Sequence, residues 1–314
     1  MKIYAVIGIA MAMPVFCGAE GSAEAAGGNR VDRTHEAVSR FLSTTATKVD
    51  TFFDGENAVE EQAHTRLKLD YASIFSRKDS VADNLGMRAR VHLPRLSRRV
   101  SLVFEGDDDV DTLENEPDDG FDDALDDATE DSVVGLQYLQ RLNQNLHVKL
   151  TGGVRSDPQV FAGPRIRYRH AITDQWLARI VQDVRWYSKD GWEARTRFDA
   201  DHILGTKWLW RNTLNLRWRE AHRDEQGLVT TFGTSFTRML PNGALRLQWY
   251  SQVASASRSQ LDETVLAVRY RRQVWRDWLF LEVVPQIGFQ ERHDWAPNPA
   301  LRLELELIFA ESHG

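Results

Sequence analysis

The stretch Leu85 to Leu93, LGMRARVHL, alternates strictly: Leu85, Met87, Ala89, Val91 and Leu93 are apolar, while Gly86, Arg88, Arg90 and His92 fall between them. Side chains of a strand point alternately to its two faces, so this segment reads as a strand with one oily and one positively charged face. Two architectures accept such a strand. In a soluble sandwich the apolar face is core and the arginines meet water; in a transmembrane barrel the apolar face meets lipid and the arginines turn inward.

Working outward, residues 64 to 309 repeat the pattern, and fourteen strands are expected: 64–76, 84–93, 98–106, 132–142, 146–155, 160–171, 176–187, 192–203, 208–219, 228–239, 244–253, 262–273, 278–290 and 299–309. Most have ten or more residues, against a usual five or six in soluble sheets, and that is the length needed to cross hydrocarbon at a tilt. Their even number returns both ends to one side. Tight connections, such as Asn143 to Asn145, Ile172 to Gln175 and Leu240 to Gly243, alternate with generally longer ones, of which Asp107 to Asp131 is by far the longest. Short turns on one rim and longer loops on the other suit a barrel in a membrane. The tryptophans agree. Trp176 and Trp186, and again Trp208 and Trp218, stand ten residues apart in one strand. At ~3.3 Å per residue and a tilt of ~40° that separation is roughly 25 Å, the height of an apolar band. Trp192 and Trp249 are expected near the long-loop rim and Trp278 near the other. Gln182 and Asn212 fall on the lipid face, which implies a bulge, a register error or a wrong assignment there. The expected fold is therefore all-β, an antiparallel up-and-down transmembrane barrel of about fourteen strands.

The N-terminus reads as an export signal, residues 1–25: Lys2, an apolar run from Ile3 to Phe16, then small residues at Cys17-Gly18-Ala19 and Ala23-Glu24-Ala25. Cleavage would remove Cys17, the only cysteine, and with it thiol, disulfide and Cys-metal chemistry. The rival reading, an acylated Cys17, is opposed by the bulk of Phe16. No later stretch holds the ~18 to 20 apolar residues of a membrane helix. Residues 26–62 form an N-terminal periplasmic segment in which Val38, Phe41, Leu42, Val49, Phe52 and Phe53 recur at helical spacing, so an amphipathic helix is expected over about 31–53. The barrel itself occupies 63–309, and 310–314 are a tail.

The last strand carries a resemblance: Leu301, Leu303, Leu305 and Leu307 alternate with Arg302, Glu304 and Glu306 before Phe309. This resembles a Gram-negative outer-membrane β-barrel, and VHLPRLSRRVSLVFEGDDD (91–109) and DWLFLEVVPQIGFQERHDWAPNPALRLELELIF (277–309) are similar to an uncharacterised proteobacterial family. The resemblance implies an outer-membrane location, contact with outer-membrane lipid and lipopolysaccharide, and recognition of the C-terminal strand by the barrel-assembly machinery. Here Ala310 to Gly314 follow the aromatic, a departure from a strictly terminal one.

Strand parity sends a basic set inward: Arg66, Lys68, Arg88, Arg90, Lys149, Arg165, Arg167, Arg169, Arg179, Arg185, Arg195, Arg197, Arg211, Arg217, Arg219, Arg246, Arg269, Arg271 and Arg302. The acids on that face are Asp70, Glu105, Asp183, Glu193, Asp199, Asp201, Glu282, Glu304 and Glu306. A low-dielectric wall focuses such a field and concentrates anions, and the planar guanidinium holds carboxylate or phosphate bidentately. Arg88, Arg90, Arg165, Arg167, Arg169, Arg195, Arg197 and Arg217 are the candidate selectivity residues, with small anionic solutes as partners. Alternatively, arginine and acid on neighbouring strands form a salt-bridged filling that closes the lumen.

Asp107 to Asp131 holds fourteen acids and no base; against a whole-chain charge of −7, the remainder carries +7. It is expected as a solvated extracellular loop. Asp107, Asp109 and Asp111 alternate, but the central glycine and terminal glutamate of a calcium loop are missing, so no metal site is expected. No GxSxG, HExxH, GxxxxGK or dinucleotide fingerprint is present, and His92 and His147 lack a Ser or Asp partner nearby. The expectation is no enzyme, no cofactor and no nucleic acid: a passive, anion-preferring channel. A non-conducting structural or assembly barrel is the alternative, and a lipid-modifying enzyme the third reading.

Overall fold

Alternation of period two, sustained for ten residues or more, yields strands that must pair on both edges wherever no water can satisfy their backbone. The computed structural model describes residues 66–78, 82–92, 100–106, 133–143, 145–156, 158–173, 175–205, 207–224, 226–255, 260–275 and 278–310. It contains β1 (Arg66–Ser76), β2 (Ala82–His92), β3 (Val100–Gly106), β4 (Val133–Arg141), β5 (Leu146–Arg155), β6 (Val160–Ala171), β7 (Trp176–Tyr187), β8 (Gly191–Leu204), β9 (Trp208–Arg219), β10 (Leu228–Leu240), β11 (Gly243–Ala254), β12 (Gln260–Trp275), β13 (Leu279–Gln290) and β14 (Asn298–Ala310). Every strand expected from the alternation is present, with ends displaced by two residues at most. Among the described residues, a 3-10 turn, Glu291–His293, precedes β14. The export signal, the helix expected over 31–53, the acidic stretch 107–131 and the tail 311–314 lie outside the described residues.

Each strand pairs antiparallel with its sequence neighbours, and β1 pairs with β14, closing the barrel. The closing seam runs from Arg66 opposite Ala310 to Ser76 opposite Ala300 without a break. Two register shifts interrupt the ladders, at Gln252/Val253 between β11 and β12 and at Gln273/Trp275 between β12 and β13.

Closure gives the two faces opposite environments. Leu85, Leu136, Leu150, Ile166, Leu247, Leu266 and alternate leucines of β14 point outward and are exposed, while the residues between them are buried. A soluble sandwich would show the reverse, and a continuous apolar surface of this extent has hydrocarbon as its solvent. The apolar residues that do face inward gather in small clusters, Leu177 with Leu209 and Ala244 at the short-turn rim and Val103 with Val133, Phe161 and Tyr187 toward the other.

The outward polar residues need no bulge. Gln182 keeps its place in a regular ladder because Thr196 Oγ1 donates to its Oε1 at 2.7 Å, while its own Nε2 donates to Arg195 O at 3.0 Å. Asn212 sits half-buried between Ala200 and Thr234, also in an unbroken register. Satisfied locally, the Gln182 amide is tolerated where water is absent. Trp176 and Trp208 stand at the short-turn ends of their strands and Trp186, Trp192 and Trp218 at the long-loop ends, as girdles require. Trp249 does not stand at a rim. It lies mid-strand opposite Thr234, where Thr264 Oγ1 accepts its indole N–H at 2.9 Å.

Candidate functional site

The inward charges are not spread evenly around the barrel. On β5 to β9 the described inward bases are Lys149, Arg155, Arg165, Arg167, Arg169, Arg179, Arg185, Arg195, Arg197, Arg211, Arg217 and Arg219, against Asp183, Glu193, Asp199 and Asp201. This is a basic wall. From β11 through the closing seam to β2 they are Lys68, Arg88, Arg246, Arg269, Arg271 and Arg302, against Asp70, Glu263, Glu282, Glu304 and Glu306, a nearly balanced wall. Between the two, β10 contributes Val229, Thr231, Gly233, Ser235, Thr237 and Met239, without a charge.

In the basic wall two aspartates serve three arginines. Arg211 meets Asp201 as a fork, Nε to Oδ1 at 2.6 Å and Nη2 to Oδ2 at 3.0 Å, and Arg179 reaches the same carboxylate at 3.5 Å. Asp199 accepts from Arg197 Nε at 3.0 Å and from the Thr213 hydroxyl at 2.7 Å, with Arg179 Nε at 3.5 Å. Arg179 and Asp201 keep only 2% and 1% of their surface exposed. Farther toward the long-loop rim, Glu193 faces Arg217 at 3.0 Å and Arg219 at 3.5 Å, and Arg185 bonds Asp183 at 3.2 Å. Like charges stand directly opposed across three ladders: Lys149 against Arg165, Arg169 against Arg179, and Arg195 against Arg217. Such pairs are destabilising, and among the described inward residues of this wall bases outnumber the four carboxylates.

The balanced wall also opposes like charges, but of both signs, so its diagonals cancel them. Asp70 faces Glu306 across the closing seam, and Lys68 lies between them at 3.7 and 3.1 Å. Arg271 reaches Glu306 at 2.6 Å across the intervening β13, Arg269 binds Glu282 at 2.8 Å and Arg302 binds Glu304 at 2.7 Å.

Glycine makes room for one of these charges and for one close approach of strands. A Cβ on Gly86 would strike the Asp70 carboxylate, and one on Gly163 would strike the backbone of Val184 and Arg185. Gly86 therefore beds the Asp70 carboxylate against bare main chain, while Gly163 lets the backbones of β6 and β7 approach closely.

Of the residues singled out from sequence, Arg165, Arg167, Arg169, Arg195, Arg197 and Arg217 come together on the basic wall. Arg88 is separate, beside Lys68 on the balanced wall. Arg90 stands in β2 opposite Val103 and Arg66. Arg155 and Glu263 belong to the inward face as well. The parity of β5 and β12 already carried them, but both sit at strand ends where the boundaries were least defined. The division into two walls was missed, although the chargeless inward face of β10 was its visible mark.

No protein-family model matches the chain, and no curated protein matches it. Similar solved structures include the KdgM porin in complex with disordered oligogalacturonate, at TM-score 0.40 and 7% identity over 78% of this chain and 99% of that one. The outer membrane protein OprD from Pseudomonas aeruginosa overlaps at TM-score 0.45 and 6% identity, over 80% and 94% of the two chains. An anion-selective porin from Comamonas acidovorans overlaps at 0.46 and 9%, over 78% and 98%. Likenesses this distant bear on nothing beyond barrel architecture, which the closed strand order and the outward apolar belt establish by themselves. A sheet without edges, greased outside and charged inside, is the form in which β-structure crosses a membrane, and the chain is a closed antiparallel β-barrel of the transmembrane kind.

Proposed function

We propose that the barrel is a passive channel preferring anionic solutes, with Arg165, Arg167, Arg169, Arg195, Arg197 and Arg217 as its selectivity wall and Arg88 and Arg90 contributing from the opposite side. The observation that carries this reading is the charge imbalance of β5 to β9, where bases outnumber acids three to one among the described inward residues. A wall that opposes Arg195 to Arg217 and Lys149 to Arg165 holds its strands together at a cost, which a passing carboxylate or phosphate relieves. Guanidinium keeps its charge at any working pH, so the preference is permanent rather than switched. Lipopolysaccharide around the long-loop rim and the barrel-assembly machinery at β14 are the partners this reading implies.

A second reading, a non-conducting structural barrel, is favoured by one observation. Arg179, Arg211, Arg246 and Asp201 are almost fully buried, the mark of a packed interior. Single-channel recording in planar bilayers under a salt gradient separates the two. The channel reading expects conductance with anion preference, reduced by Arg165→Gln with Arg167→Gln. Absence of conductance, or a selectivity indifferent to those substitutions, rejects it.

A further inference from the structure

The outward face carries a concavity. Across β10 to β13 it opens a groove of about 540 Å³, walled by Phe236, Leu247, Trp249, Leu266, Val268 and Ile287 from four consecutive strands. At ~30 Å³ for a water-sized group, that is room for about eighteen such groups, the better part of one acyl chain. The outward polar atoms at its edge are engaged, Trp249 Nε1 donating to Thr264 and the Thr234 hydroxyl accepting from Trp210 Nε1, each at 2.9 Å, while Gln248 and Gln286 lie on the inward parity of their strands. Its occupant is therefore apolar.

Toward the short-turn rim the same strands carry two outward cations. Arg238 lies two residues beyond Phe236 on β10, and Arg272 four residues beyond Val268 on β12. They flank β11, opposite Leu245 and Gly243; two strand spacings across and two residues along put them roughly 12 Å apart. Arg238 stacks over the Trp208 ring at 5.8 Å, and among the described residues neither arginine has a carboxylate partner. No described strand acid faces outward at that end of the barrel. An arginine on the lipid face is tolerated only near the interface, where its head reaches phosphate.

We infer that the groove seats an acyl chain of an anionic phospholipid from the periplasmic leaflet, with its phosphate held between Arg238 and Arg272. Lipopolysaccharide belongs at the long-loop rim. A second copy of the barrel would bury both guanidinium groups against a face that offers no acid. The site stands whether or not the lumen conducts.

Native mass spectrometry of the folded barrel in detergent, titrated with phosphatidylglycerol or with phosphatidylcholine of equal chain length, tests the inference. Phosphatidylglycerol should bind about tenfold more tightly, and R238Q with R272Q should abolish that preference. Leu247→Trp, which fills the groove, should weaken both lipids. Equal retention of the two lipids by the unaltered barrel overturns the site without any variant. A preference that survives the double substitution, or binding untouched by Leu247→Trp, overturns it as well. A lipid-free dimer disrupted by Leu247→Trp would assign the groove to a second copy instead.

Discussion

The basic wall and the balanced wall use the same residue types on the same kind of strand, yet they dispose of charge differently. On β12 to β1 the guanidinium and ammonium groups find carboxylates on their own, a neighbouring or a next-neighbouring strand: Arg302 with Glu304 along β14, Arg269 with Glu282, and Arg271 and Lys68 sharing Glu306. On β7 to β9, Asp199 and Asp201 are each divided between two arginines, and Arg179 draws on both. Parity turns a charge inward, but register decides whether it is cancelled. Among the described inward residues, the first wall nearly matches bases with acids, while on the second bases outnumber acids.

The strongest way to break the comparison is to invert one wall at a time. Replacing Arg165, Arg167 and Arg197 by Glu should move the anion-to-cation permeability ratio by roughly tenfold or more and reverse the sign of the zero-current potential in a salt gradient. Neutralising Arg269 and Glu282 together should leave that ratio nearly unchanged, because the pair contributes no net charge. If both variants shifted selectivity equally, the two walls would not be functionally distinct.

Removing an acid should also cost more where acids are scarce. Asp201→Ala leaves Arg179 and Arg211 buried beside one fewer carboxylate, and about 3–5 kcal/mol of folding stability should be lost. Glu282→Gln keeps Glu304 and Glu306 nearby and retains an acceptor for Arg269, so about 1–3 kcal/mol is expected. Urea unfolding of the barrel in lipid vesicles, followed by tryptophan fluorescence, gives the order. The smallest effect is on the lipid side. Thr196→Val removes the donor to Gln182 and should cost about 1–2 kcal/mol, whereas adding Gln182→Leu should recover most of it, since an apolar pair asks nothing of hydrocarbon. A double variant no better than the single would show that Gln182 matters through its bonds to the Arg195 and Asp183 carbonyls instead.

The strand list and the inward face were legible in the sequence because both follow from a period of two, a local property. Leu85 and Arg88 declare their faces without reference to any other strand. What was not legible is set by register. That Arg195 stands opposite Arg217 while Arg271 reaches past β13 to Glu306 depends on how far each ladder is staggered, and stagger is fixed by closure of the whole sheet. Gln182 is the clearest instance. By pattern alone it is a polar error in an apolar face; its correction, Thr196, lies on the next strand and becomes visible only once the two are aligned. Trp249 went to the wrong height for the opposite reason. Aromatics are drawn to rims, but an indole whose N–H is bonded to Thr264 can sit mid-strand.

Closure has a consequence for assembly. The strands that seal the cylinder, β1 and β14, stand at opposite ends of the strand order, so the last zipper to fasten joins the most distant partners. Until it does, two rows of bare amide and carbonyl groups lie open to any passing extended segment. A chain interrupted before Asn298 would keep thirteen strands and still be an unfinished ribbon with sticky margins. The ion cluster of Lys68, Asp70, Glu306 and Arg271 then acts as the clasp, because three of its four members meet only when the final strand arrives.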